Sequence, residues 1–514
     1  MSSREGDIVI LDCYTDEPSG YGVRPYLGTH QIHLSQALSF LGLGHYYLTI
    51  DDLRYCSRGI LEDPENTDLS TLNRTKNCNS ALSVLHKAKT IYIVMGCFVD
   101  YSYFSAIPPK SDEIYTYLKD CKARKVLFYV LGTADGIAPD YKDSRLSSLI
   151  DQVEFGNTYR FILENNSSTA DFIRPNYELL DKISPFEPPI ISQLRYPIIA
   201  EIETGSGCNV ASCVFCIECV RRLKPTYRDP QSIVKQVKCL YDAGIRHFRL
   251  GRQPNFYHYQ NQDVYQVEKL LSGIRGSCPE IEALHIDNAN IINVITTAGI
   301  EITKLIVRYC TSGNIAPLGI ESFDPRVRKA IRKPGTAEQA LRAIEAINEY
   351  GQVRGNDGFP HFLPGINLIY GLPEQSLATH KINLEYLNRI LSNNWQTRRL
   401  FFRKMTRPTG ISLSDGPLSS QEYEDWFQDI VEGYVLPMQS RVYPPGTVLR
   451  NFREVVWKKG DSYLRTLGTC SVRAVVMGKR LEPYGSYSVR ATGNLGYRLL
   501  KGELVDGLGG DRSW

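Results

Sequence analysis

Short apolar runs that alternate with amphipathic helical patterns constrain the fold of this chain more than any other feature. Before about residue 180 the apolar runs read DIVILDCY, HYYLTIDDL, TIYIVMGCFV and KVLFYVLG. Buried strands followed by amphipathic helices form βαβ units, which build a parallel sheet. We therefore expect an α/β fold whose first domain spans residues 1–183.

Ligands of parallel sheets bind beyond the carboxyl ends of the strands. Three polar, glycine-bearing loops are placed there by the pattern, and they read TDEPSGYGVRPYLGTH, GCFVDYSYF and GTADG. They are candidate cofactor loops, but each can equally be a simple turn. For Gly132 and Gly136 of GTADG both interpretations stay open.

A proline-rich stretch predicts the end of the first domain. Residues 184–197, SPFEPPIISQLRYP, hold four prolines, which disfavour helix and indicate a linker. Six or so strand–helix pairs follow within residues 190–410, a pattern that fits a complete or partial (β/α)6 barrel with its site at the carboxyl ends of the strands. From about Tyr443 short strand-like runs with glycine turns predict that residues 411–514 hold a linker helix and a small, OB-like β domain.

Composition excludes several classes of protein. A chain of 514 residues is too long for one core, so several domains are expected. Hydrophobic residues make up 42% and charged residues 22%, which is ordinary globular usage and argues against disorder. No stretch approaches the length of an apolar membrane span, so we expect a cytoplasmic protein without membrane association. Thirteen cysteines, an odd number spread along the chain, predict reduced thiols rather than a disulfide framework.

Charge is distributed unevenly. The whole chain carries a formal net charge of +3, which is too small to argue for nucleic-acid binding. Residues 441–514 hold 13 Lys and Arg against 6 Asp and Glu, a local net charge of 13 − 6 = +7. This basic region is either an RNA-facing patch or the solvated face of a small β domain, and the sequence leaves both open.

The stretch SGCNVASCVFCIEC, residues 206–219, places four of the cysteines within twelve residues. Structural zinc usually takes its ligands from two separated pairs, and no second pair follows here. Three thiolates that hold an iron-sulfur cluster, with one iron left open to a ligand, fit a loop at the mouth of a barrel. Zinc and chance clustering of buried thiols remain the alternatives.

This stretch resembles the cluster loop of the radical SAM superfamily. In that family three loop cysteines hold a [4Fe-4S] cluster, and the open iron binds S-adenosyl-L-methionine (SAM). The aromatic residue before the last cysteine is typical, so the resemblance implies Cys208, Cys213 and Cys216 as ligands. The first gap here has four residues instead of the usual three, which keeps Cys213, Cys216 and Cys219 open as an alternative set.

The same resemblance extends to the ends of the later barrel strands. RHFRLGRQ takes the place of the family's glycine-glycine-glutamate strand end, although its acidic residue is absent here. APLGIESFD fits the fourth strand and LPGINLIYGLP fits the fifth. The residues that would contact SAM are then Phe215, Gly251, Arg252, Gln253, Glu321, Ser322, Asn367 and Leu368.

The first domain resembles the Rossmann-like, doubly wound domain of archaeal radical SAM proteins, which is related to cobalamin-binding domains. Its position before the barrel is that of cobalamin-dependent radical SAM enzymes, so cobalamin is implied as a third cofactor. The Asp-x-His-x-x-Gly motif that supplies an axial histidine is absent from this chain. His30 and His33 lie where a helix begins, so we interpret each as an ordinary polar or capping residue rather than as a metal ligand.

These resemblances lead to three hypotheses. The first is a cobalamin-dependent radical SAM C-methyltransferase that acts on an unactivated carbon of a peptide or protein side chain. Methyl-coenzyme M reductase is a protein substrate that the family resemblance suggests. Such an enzyme needs an external electron donor. The second is a radical SAM RNA-modifying enzyme such as a tRNA methylthiotransferase, with the basic C-terminal region as its nucleic-acid contact. The third is a non-catalytic metal-binding or scaffold protein.

Overall fold

The computed structural model describes residues 7–15, 24–57, 73–96, 104–129, 144–164, 174–221, 223–405, 419–483 and 485–505. The chain forms two compact units. The first contains residues 1–203 and 231–247, and the second contains residues 204–230 and 248–513. The three domain boundaries expected from the sequence stay a prediction.

The first unit is built on a five-stranded parallel sheet. Its strands are β1 (Ile8–Asp12), β3 (Tyr46–Thr49), β4 (Thr90–Met95), β5 (Arg124–Tyr129) and β6 (Gln152–Phe155). They follow the order β3-β1-β4-β5-β6, and Val9 of β1 stands opposite Tyr46 on one side and Ile91 on the other. The order reverses beside β1, which is the flavodoxin-like form of the doubly wound fold.

Helices surround this sheet, as the alternation in the sequence predicts. They span Thr29–Phe40, Ile50–Ser57, Ala81–Lys87, Ser111–Leu118, Thr158–Leu163, Tyr177–Ile183 and Ile190–Gln193. The helix Pro230–Asp242, which the sequence assigned to the barrel, also lies mostly within the residues of this unit. Short 3-10 turns lie at Cys78–Ser80 and Arg145–Leu149, and a short strand β2 (Tyr26–Leu27) pairs in parallel with β7 (Ile199–Glu203). The core holds the buried apolar side chains of β1, β4 and β5.

The second unit begins with the segment that contains the four cysteines, and its parallel strands follow. The antiparallel pair β8 (Gly205–Ser206) and β9 (Thr226–Tyr227) encloses this segment, and the strands after it are β10 (His247–Gly251), β11 (Ala283–Ile286), β12 (Asn314–Glu321), β13 (Phe362–Tyr370) and β14 (Arg399–Lys404). β10 neighbours β11, and β12, β13 and β14 form a parallel sheet with Ile366 opposite Leu318 and Leu400. A parallel bridge between Ala289 and Leu318 connects the end of β11 with β12.

Helices alternate with these strands, so the predicted succession of β/α pairs is confirmed. They span Ile217–Arg221, Val264–Ser277, Ile291–Val294, Thr297–Tyr309, Pro325–Ala330, Ala337–Gly351 and Leu377–Ser392, and a 3-10 segment spans Phe256–Gln262. Thr336 and Gln339 form a capping box that starts the helix Ala337–Gly351, which is why the helix begins there.

The C-terminal part of the second unit is a small closed β barrel. It follows the helices Ser420–Ile430 and Leu436–Val442, which a π-helical turn at Val431–Val435 connects. Its strands are β15 (Val448–Lys458), β16 (Asp461–Thr466), β17 (Arg473–Val476), β18 (Tyr487–Gly496) and β19 (Leu499–Leu504). They close in the order β15-β16-β17-β19-β18, with β17 and β19 parallel and the other pairs antiparallel. The expected OB-like domain is therefore confirmed.

Candidate functional site

The four cysteines lie in a loop that a short β ribbon closes. Gly205 and Ser206 of β8 pair with Tyr227 and Thr226 of β9. Gly207 follows with φ +79°, and a Cβ atom there would lie 2.5 Å from the carbonyl oxygen of Lys224. Only glycine fits this turn. Because Gly207 immediately precedes Cys208, the backbone before the first cysteine is held in a fixed position.

The four-residue gap after Cys208 forms a turn around its sulfur. The backbone N–H groups of Val210 and Ala211 both donate to Cys208 Sγ, each at 3.4 Å. Ala211 has φ 44°, a left-handed conformation that lets the chain fold back over the sulfur. The gap is one residue longer than is usual in the family, and the longer segment forms a turn that two hydrogen bonds to the first cysteine stabilise.

A neighbouring segment of the same unit fixes the chain on both sides of Cys213. The N–H of Val214 donates to the carbonyl of Ile331 (3.2 Å), and the hydroxyl of Ser212 donates to the carbonyl of Arg332 (3.3 Å). These two hydrogen bonds hold the middle of the cysteine loop against the segment that leads to the glycine-bearing turn before helix Ala337–Gly351.

The last two cysteines lie on a tight turn. The N–H of Cys216 donates to the carbonyl of Cys213, and the N–H of Cys219 donates to that of Cys216, both at 3.0 Å. Phe215 packs with a buried apolar cluster that contains Val327, Ile331 and Leu372. The aromatic residue before the third cysteine therefore anchors the loop by packing.

Burial sets the protonation of two of the sulfurs. It raises the pKa of the Cys216 thiol to about 12, an increase that a hydrogen bond from the backbone of Glu218 partly opposes and the charge of Cys213 supports. It also raises the pKa of Cys213, which Lys333 partly opposes. Both groups are therefore protonated near neutral pH, and a metal that binds them must displace their protons.

Glu321, at the end of β12, faces a lysine that the sequence did not indicate. Lys333 Nζ lies 3.4 Å from Glu321 Oε1, and both side chains are about nine-tenths buried. The same Nζ lies 6.0 Å from the centre of the Phe215 ring. A Cβ atom at Gly319 would meet both the carboxylate and the ammonium at 2.8 Å, so glycine leaves the room for this pair.

A buried arginine shapes the turn that carries this lysine. The Arg328 guanidinium donates to the carbonyls of Ile320, Ser322, Pro334 and Gly335 at 2.6–3.1 Å. Burial lowers the pKa of Arg328. The guanidinium remains charged, and its hydrogen bonds hold the end of β12 against the segment after helix Pro325–Ala330.

Ser322 is fully buried, and its hydroxyl is used inside the protein. It donates to the side-chain oxygen of Asn383 (3.5 Å) and accepts from the N–H of Asp324 (3.1 Å). Asn383 also accepts from the N–H of Phe323 (2.8 Å). The structure thus assigns Ser322 a part in holding the strand end, and its expected contact with SAM stays a prediction.

The end of β10 carries the second group of predicted residues. The Gly251 carbonyl accepts from both the N–H and the hydroxyl of Thr204, each at 3.2 Å. Arg252 adopts a left-handed conformation (φ 66°), as Glu321 does at the end of β12 (φ 65°). A non-glycine residue in the left-handed conformation costs conformational energy, and such residues are concentrated at functional sites. The surrounding structure therefore holds both strand ends in an unfavourable backbone conformation.

Two predicted residues hold buried amide atoms without a partner. Gln253 is 2% exposed, and within the described part of the chain neither its Oε1 nor its Nε2 has a hydrogen-bond partner. Asn367 Oδ1, on β13, is likewise buried and without a partner among the described residues. Buried polar atoms are nearly always hydrogen-bonded, so these atoms suit a ligand that brings donors and acceptors. Leu368 is fully buried beside Asn367.

An amide network connects the cysteine loop with the end of β10. Asn255 Nδ2 lies 2.8 Å from Asn293 Oδ1 and 3.4 Å from Asn209 Oδ1. Asn209 Nδ2 in turn lies 3.4 Å from Asn293 Oδ1. Asn209 belongs to the four-residue gap, so this gap also ties the loop to the strand ends.

The donor set fits the cofactors that the sequence implies. Cys208, Cys213 and Cys216 are free thiols on one loop, and the orphaned amides of Gln253 and Asn367 lie on the strands that follow it. Within the described ranges no three His, Cys, Asp or Glu side chains form a group that could hold a metal ion. The ligand assignment and the SAM contacts stay predictions.

Comparison with known proteins decides the family. Residues 202–380 match the family model described as the radical SAM superfamily. The uncharacterized protein MJ0274 of Methanocaldococcus jannaschii is 33% identical to this chain, and the match covers 97% of this chain and 93% of MJ0274. The chain belongs to the radical SAM superfamily. It is therefore a radical SAM enzyme, and a [4Fe-4S] cluster and SAM are its cofactors.

Two solved radical SAM structures share the fold. The methyltransferase TsrM of Kitasatospora setae matches with a TM-score of 0.50 and 14% identity, over 78% of this chain and 73% of its own. The cobalamin-dependent SAM radical enzyme OxsB matches with a TM-score of 0.50 and 13% identity, over 82% of this chain and 55% of its own. A tRNA-2-methylthio-N(6)-dimethylallyladenosine synthase of Azobacteroides pseudotrichonymphae is 24% identical over 56% of this chain and 58% of its own.

Some expectations fall outside the described residues. The GTADG loop lies wholly outside them, and the loops after β1 and β4 lie partly outside them. His30 and His33 lie near the start of helix Thr29–Phe40, as expected, but both are buried, and the residue at the N-cap position is Gly28. Among the described helices, none combines the length and apolarity that a membrane span needs.

Proposed function

We propose that this radical SAM enzyme is a cobalamin-dependent C-methyltransferase that acts on an unactivated carbon of a peptide or protein side chain. The observation that carries the proposal is the shared fold with TsrM, a methyltransferase, and OxsB, a cobalamin-dependent enzyme, over about four-fifths of the chain. A match of this length includes a doubly wound sheet as well as the radical SAM strands.

The sheet order of the first unit supports a cofactor there. In β3-β1-β4-β5-β6 the order reverses between β1 and β4, and ligands of doubly wound sheets bind at that switch point, beyond the carboxyl ends of the strands. We assign cobalamin to this edge. No histidine motif for an axial ligand is present in the sequence, so the cofactor would be bound without one.

The bound cofactors supply the difficult chemistry: the cluster and SAM provide a radical that removes a hydrogen atom, and cobalamin provides the methyl group. The chain positions them. Cys208, Cys213 and Cys216 would hold the cluster, and the amides of Gln253 and Asn367 would orient SAM through hydrogen bonds. Burial at these strand ends would exclude water from the reacting groups.

Metal and cofactor analysis tests the proposal directly. The full chain is purified anaerobically with cobalamin supplied, and its visible spectrum and its iron, sulfide and cobalt contents are measured. About four irons and one cobalt per chain support the proposal. A cluster without cobalt contradicts the cobalamin assignment, and zinc as the only metal contradicts the whole proposal.

Cysteine variants test the ligand set. Cys208→Ala, Cys213→Ala and Cys216→Ala are each expected to lose the cluster, because each removes one of three thiolate ligands. Cys219→Ala is the matched control and should keep about four irons per chain. Loss of iron in Cys219→Ala with retention in Cys208→Ala would establish the alternative set instead.

A second function is favoured by two other observations. The tRNA methylthiotransferase relative matches over half of this chain, and the C-terminal barrel has the OB topology that many proteins use to bind oligonucleotides. Against this function, Cys13, Cys56, Cys78 and Cys121 of the first unit form no metal-binding group among the described residues. About eight irons without cobalt would establish this second function.

The substrate is tested once the cofactors are established. Peptides that span modified regions of methyl-coenzyme M reductase are the first candidates, with SAM and an external electron donor in the reaction. Gain of one methyl group on a peptide carbon, seen by mass spectrometry with labelled SAM, supports a peptide substrate. Gain of a methylthio group on tRNA, with no peptide product, would contradict it.

A further inference from the structure

We propose that Tyr227 donates a hydrogen atom to the radical derived from SAM when no substrate is bound, and that His258 orients and restores the phenol. Such a reaction protects the protein from the radical. The proposal rests on the predicted contact of Gln253 with SAM, but it needs neither cobalamin nor a methyl acceptor. Its failure and the failure of the proposed methyl transfer are therefore distinguishable.

Tyr227 lies between the cysteine loop and the end of β10. It belongs to β9 and pairs with Gly205 of β8. A Cβ atom at Gly205 would lie 2.8 Å from Tyr227 Cδ1 and 3.5 Å from Gln253 Oε1, so both side chains border the same small space. Gln253 is the residue whose buried amide atoms have no partner among the described residues. The phenol ring thus borders the place where SAM is predicted to bind.

The phenol also lies near the first cysteine of the loop. Burial raises the pKa of Tyr227 to about 12, and the charge of Cys208 adds to the increase. An electrostatic effect of this kind requires the two side chains to be near each other. Tyr227 is therefore close to a predicted cluster ligand as well as to a predicted SAM contact. It also keeps its proton near neutral pH, so the phenol holds the hydrogen atom that it would donate.

His258 determines the direction of the phenol hydroxyl. Its Nδ1 lies 2.5 Å from the hydroxyl oxygen of Tyr227. Burial lowers the pKa of His258, so the ring is neutral and only one of its nitrogens carries a hydrogen. We assign that hydrogen to Nδ1, which then donates to the phenol oxygen and directs the hydroxyl hydrogen away from the imidazole. Tyr259 packs edge-on against Tyr227, with ring centres 5.8 Å apart, and limits the movement of the phenol.

The backbone after His258 adopts an unusual conformation. Three consecutive non-glycine residues are left-handed, namely Gln260 (φ 49°), Asn261 (φ 59°) and Gln262 (φ 68°). This conformation costs energy at each residue and normally occurs at single positions. Gln260 Nε2 donates to the carbonyl of Arg228 (2.9 Å), which ties the turn to the residue after the tyrosine. Strained segments of this kind are concentrated at functional sites, where the surrounding structure maintains them.

The proposed step balances with a one-electron donor of low potential, the class of reductant that also reduces the cluster. The phenol O–H bond breaks and a C–H bond forms at the 5′ carbon, which yields 5′-deoxyadenosine and a neutral tyrosyl radical. This direction is favourable because a phenol O–H bond is weaker than the C–H bond of a primary carbon. One electron from the donor and one proton from water then restore Tyr227. His258 is half-buried, so its ring can pass that proton from water to the phenol oxygen.

Isotope transfer tests the source of the hydrogen atom. The full chain with its cluster is given SAM and a one-electron reductant in heavy water, without substrate or cobalamin. The 5′-deoxyadenosine is returned to ordinary water and analysed by mass spectrometry. We expect deuterium on the 5′ carbon, because the phenol hydrogen exchanges with the solvent. Tyr227→Phe should lose this label. Tyr265→Phe is the matched control, at a tyrosine that is 69% exposed, and should keep it.

Two spectroscopic measurements do not depend on product formation. With the reductant limited to a single electron per chain, electron paramagnetic resonance of frozen wild-type enzyme should show a neutral tyrosyl radical, and Tyr227→Phe should lack that signal. In the cofactor-free chain with isotope-labelled histidine, the Nδ1 resonance of His258 is assigned through His258→Gln. This resonance should shift in Tyr227→Phe, because the hydrogen bond to the phenol is lost.

Several results would overturn the proposal. They are wild-type 5′-deoxyadenosine without deuterium, a label that persists in Tyr227→Phe, and no 5′-deoxyadenosine without substrate, since there is then no radical to intercept. If Tyr227→Phe fails to fold, His258→Gln decides. It should stop after one labelled product, because the tyrosyl radical is not restored, and continued turnover at the wild-type rate would contradict the proposal. A chain that binds no cobalt contradicts the proposed methyl transfer and leaves the label unchanged.

Discussion

The buried side chain of Gln253 lies in an environment that is unusual for a protein interior. Its amide is buried at the end of β10, and both of its polar atoms lack partners among the described residues. By contrast, Gln375, after β13, is equally buried and uses its amide fully, with bonds to the N–H groups of Gly371 and Leu372 and to the carbonyl of Ile369. The two glutamines therefore form a matched pair with which the predicted contact of Gln253 with SAM can be tested.

We expect Gln253→Leu to separate stability from SAM binding. The change removes unsatisfied polar atoms at nearly constant volume, so without SAM the free energy of unfolding should rise by about 1–3 kcal/mol. SAM should then bind about 10- to 100-fold more weakly. Thermal unfolding with and without SAM measures both effects.

Gln375→Leu is the control for this experiment and should destabilise the protein, because it leaves backbone groups unpaired. If Gln253→Leu loses stability to the same extent as Gln375→Leu and binds SAM normally, the amide of Gln253 has a structural use and no part in the site.

At the scale of single residues, the sequence indicated groups that are close along the chain. The cysteines and the strand-end residues stand in short motifs, so their grouping could be predicted. The position of Lys333 could not be predicted. Lys333 pairs with Glu321 because of a turn that Arg328 stabilises by hydrogen bonds to four carbonyl groups, and no sequence motif indicates that turn.

At the scale of elements, the helix Ala337–Gly351 controls the position of β13. A Cβ atom at Gly351 would lie 1.9 Å from the carbonyl oxygen of Phe362, at the start of β13. The last turn of the helix therefore packs directly on the backbone of the strand that carries Asn367. Any side chain at Gly351 must push the helix and the strand apart.

We expect Gly351→Ala to lower the free energy of unfolding by about 1–3 kcal/mol, because overpacking shifts the backbone. SAM binding should weaken with it, since Asn367 would move. Gly276→Ala, in helix Val264–Ser277, is the matched control because its Cβ would meet nothing within 4 Å. There the gain in helix propensity should stabilise the protein by about 0.5–1 kcal/mol. Equal effects in chemical denaturation would contradict the packing argument.

His380 links two helices in a way that depends on pH. Its ring stacks on Trp426 at 4.9 Å, its Nε2 lies 3.0 Å from Asp429, and its Nδ1 lies 3.5 Å from the hydroxyl of Tyr370. Burial lowers the pKa of His380, and Asp429 opposes that decrease only in part. The native state therefore prefers the neutral ring.

The sign of the pH effect follows. A histidine in the unfolded chain has a pKa of about 6.5, so below that pH the unfolded state takes up a proton more readily than the native state. Stability is full above about pH 6.5 and falls as the pH drops toward the lower native pKa. We expect His380→Gln to lose this decrease, whereas His86→Gln, at an exposed site, should keep it. Unfolding midpoints between pH 5 and 8 measure the difference, and an unchanged profile in His380→Gln would contradict it.

The long parallel strands of the second unit were predictable as elements because each is a local apolar run, whereas the short pair β8 and β9 is not. IAPLGIES gives β12, and LPGINLIYG gives most of β13. For the C-terminal barrel the sequence predicted the fold type, a small OB-like β domain, but not the order in which its strands pair. The parallel pairing of β17 with β19 joins segments on either side of β18, and such a pairing leaves no periodic signal in the sequence.

At the scale of the molecule, the second unit holds its C-terminal barrel through the loop between β16 and β17. Arg398 donates to Thr469 and Cys470, and the N–H of Thr469 donates to His285 Nδ1 (2.9 Å). A Cβ atom at Gly468 would lie 2.6 Å from the ring of His285, so this loop fits closely against β11.

We therefore expect the parallel strands and the C-terminal barrel to unfold together in calorimetry. Arg398→Met should lower the free energy of unfolding by about 3 kcal/mol, because it leaves buried carbonyls without a donor, and it should separate the barrel into a transition of its own. Arg490→Met, at an exposed site on β18, is the control. A single, unshifted transition in Arg398→Met would contradict this coupling.

The turn around Cys208 has an electrochemical consequence. Two backbone N–H groups point at its sulfur, and hydrogen bonds to a cluster sulfur favour the more electron-rich state of the iron centre. If Cys208 is a ligand, as we predict, the reduction potential of the bound cluster should be less negative than it would be without these two hydrogen bonds. The longer first gap would then decide how weak an electron donor can still start the reaction.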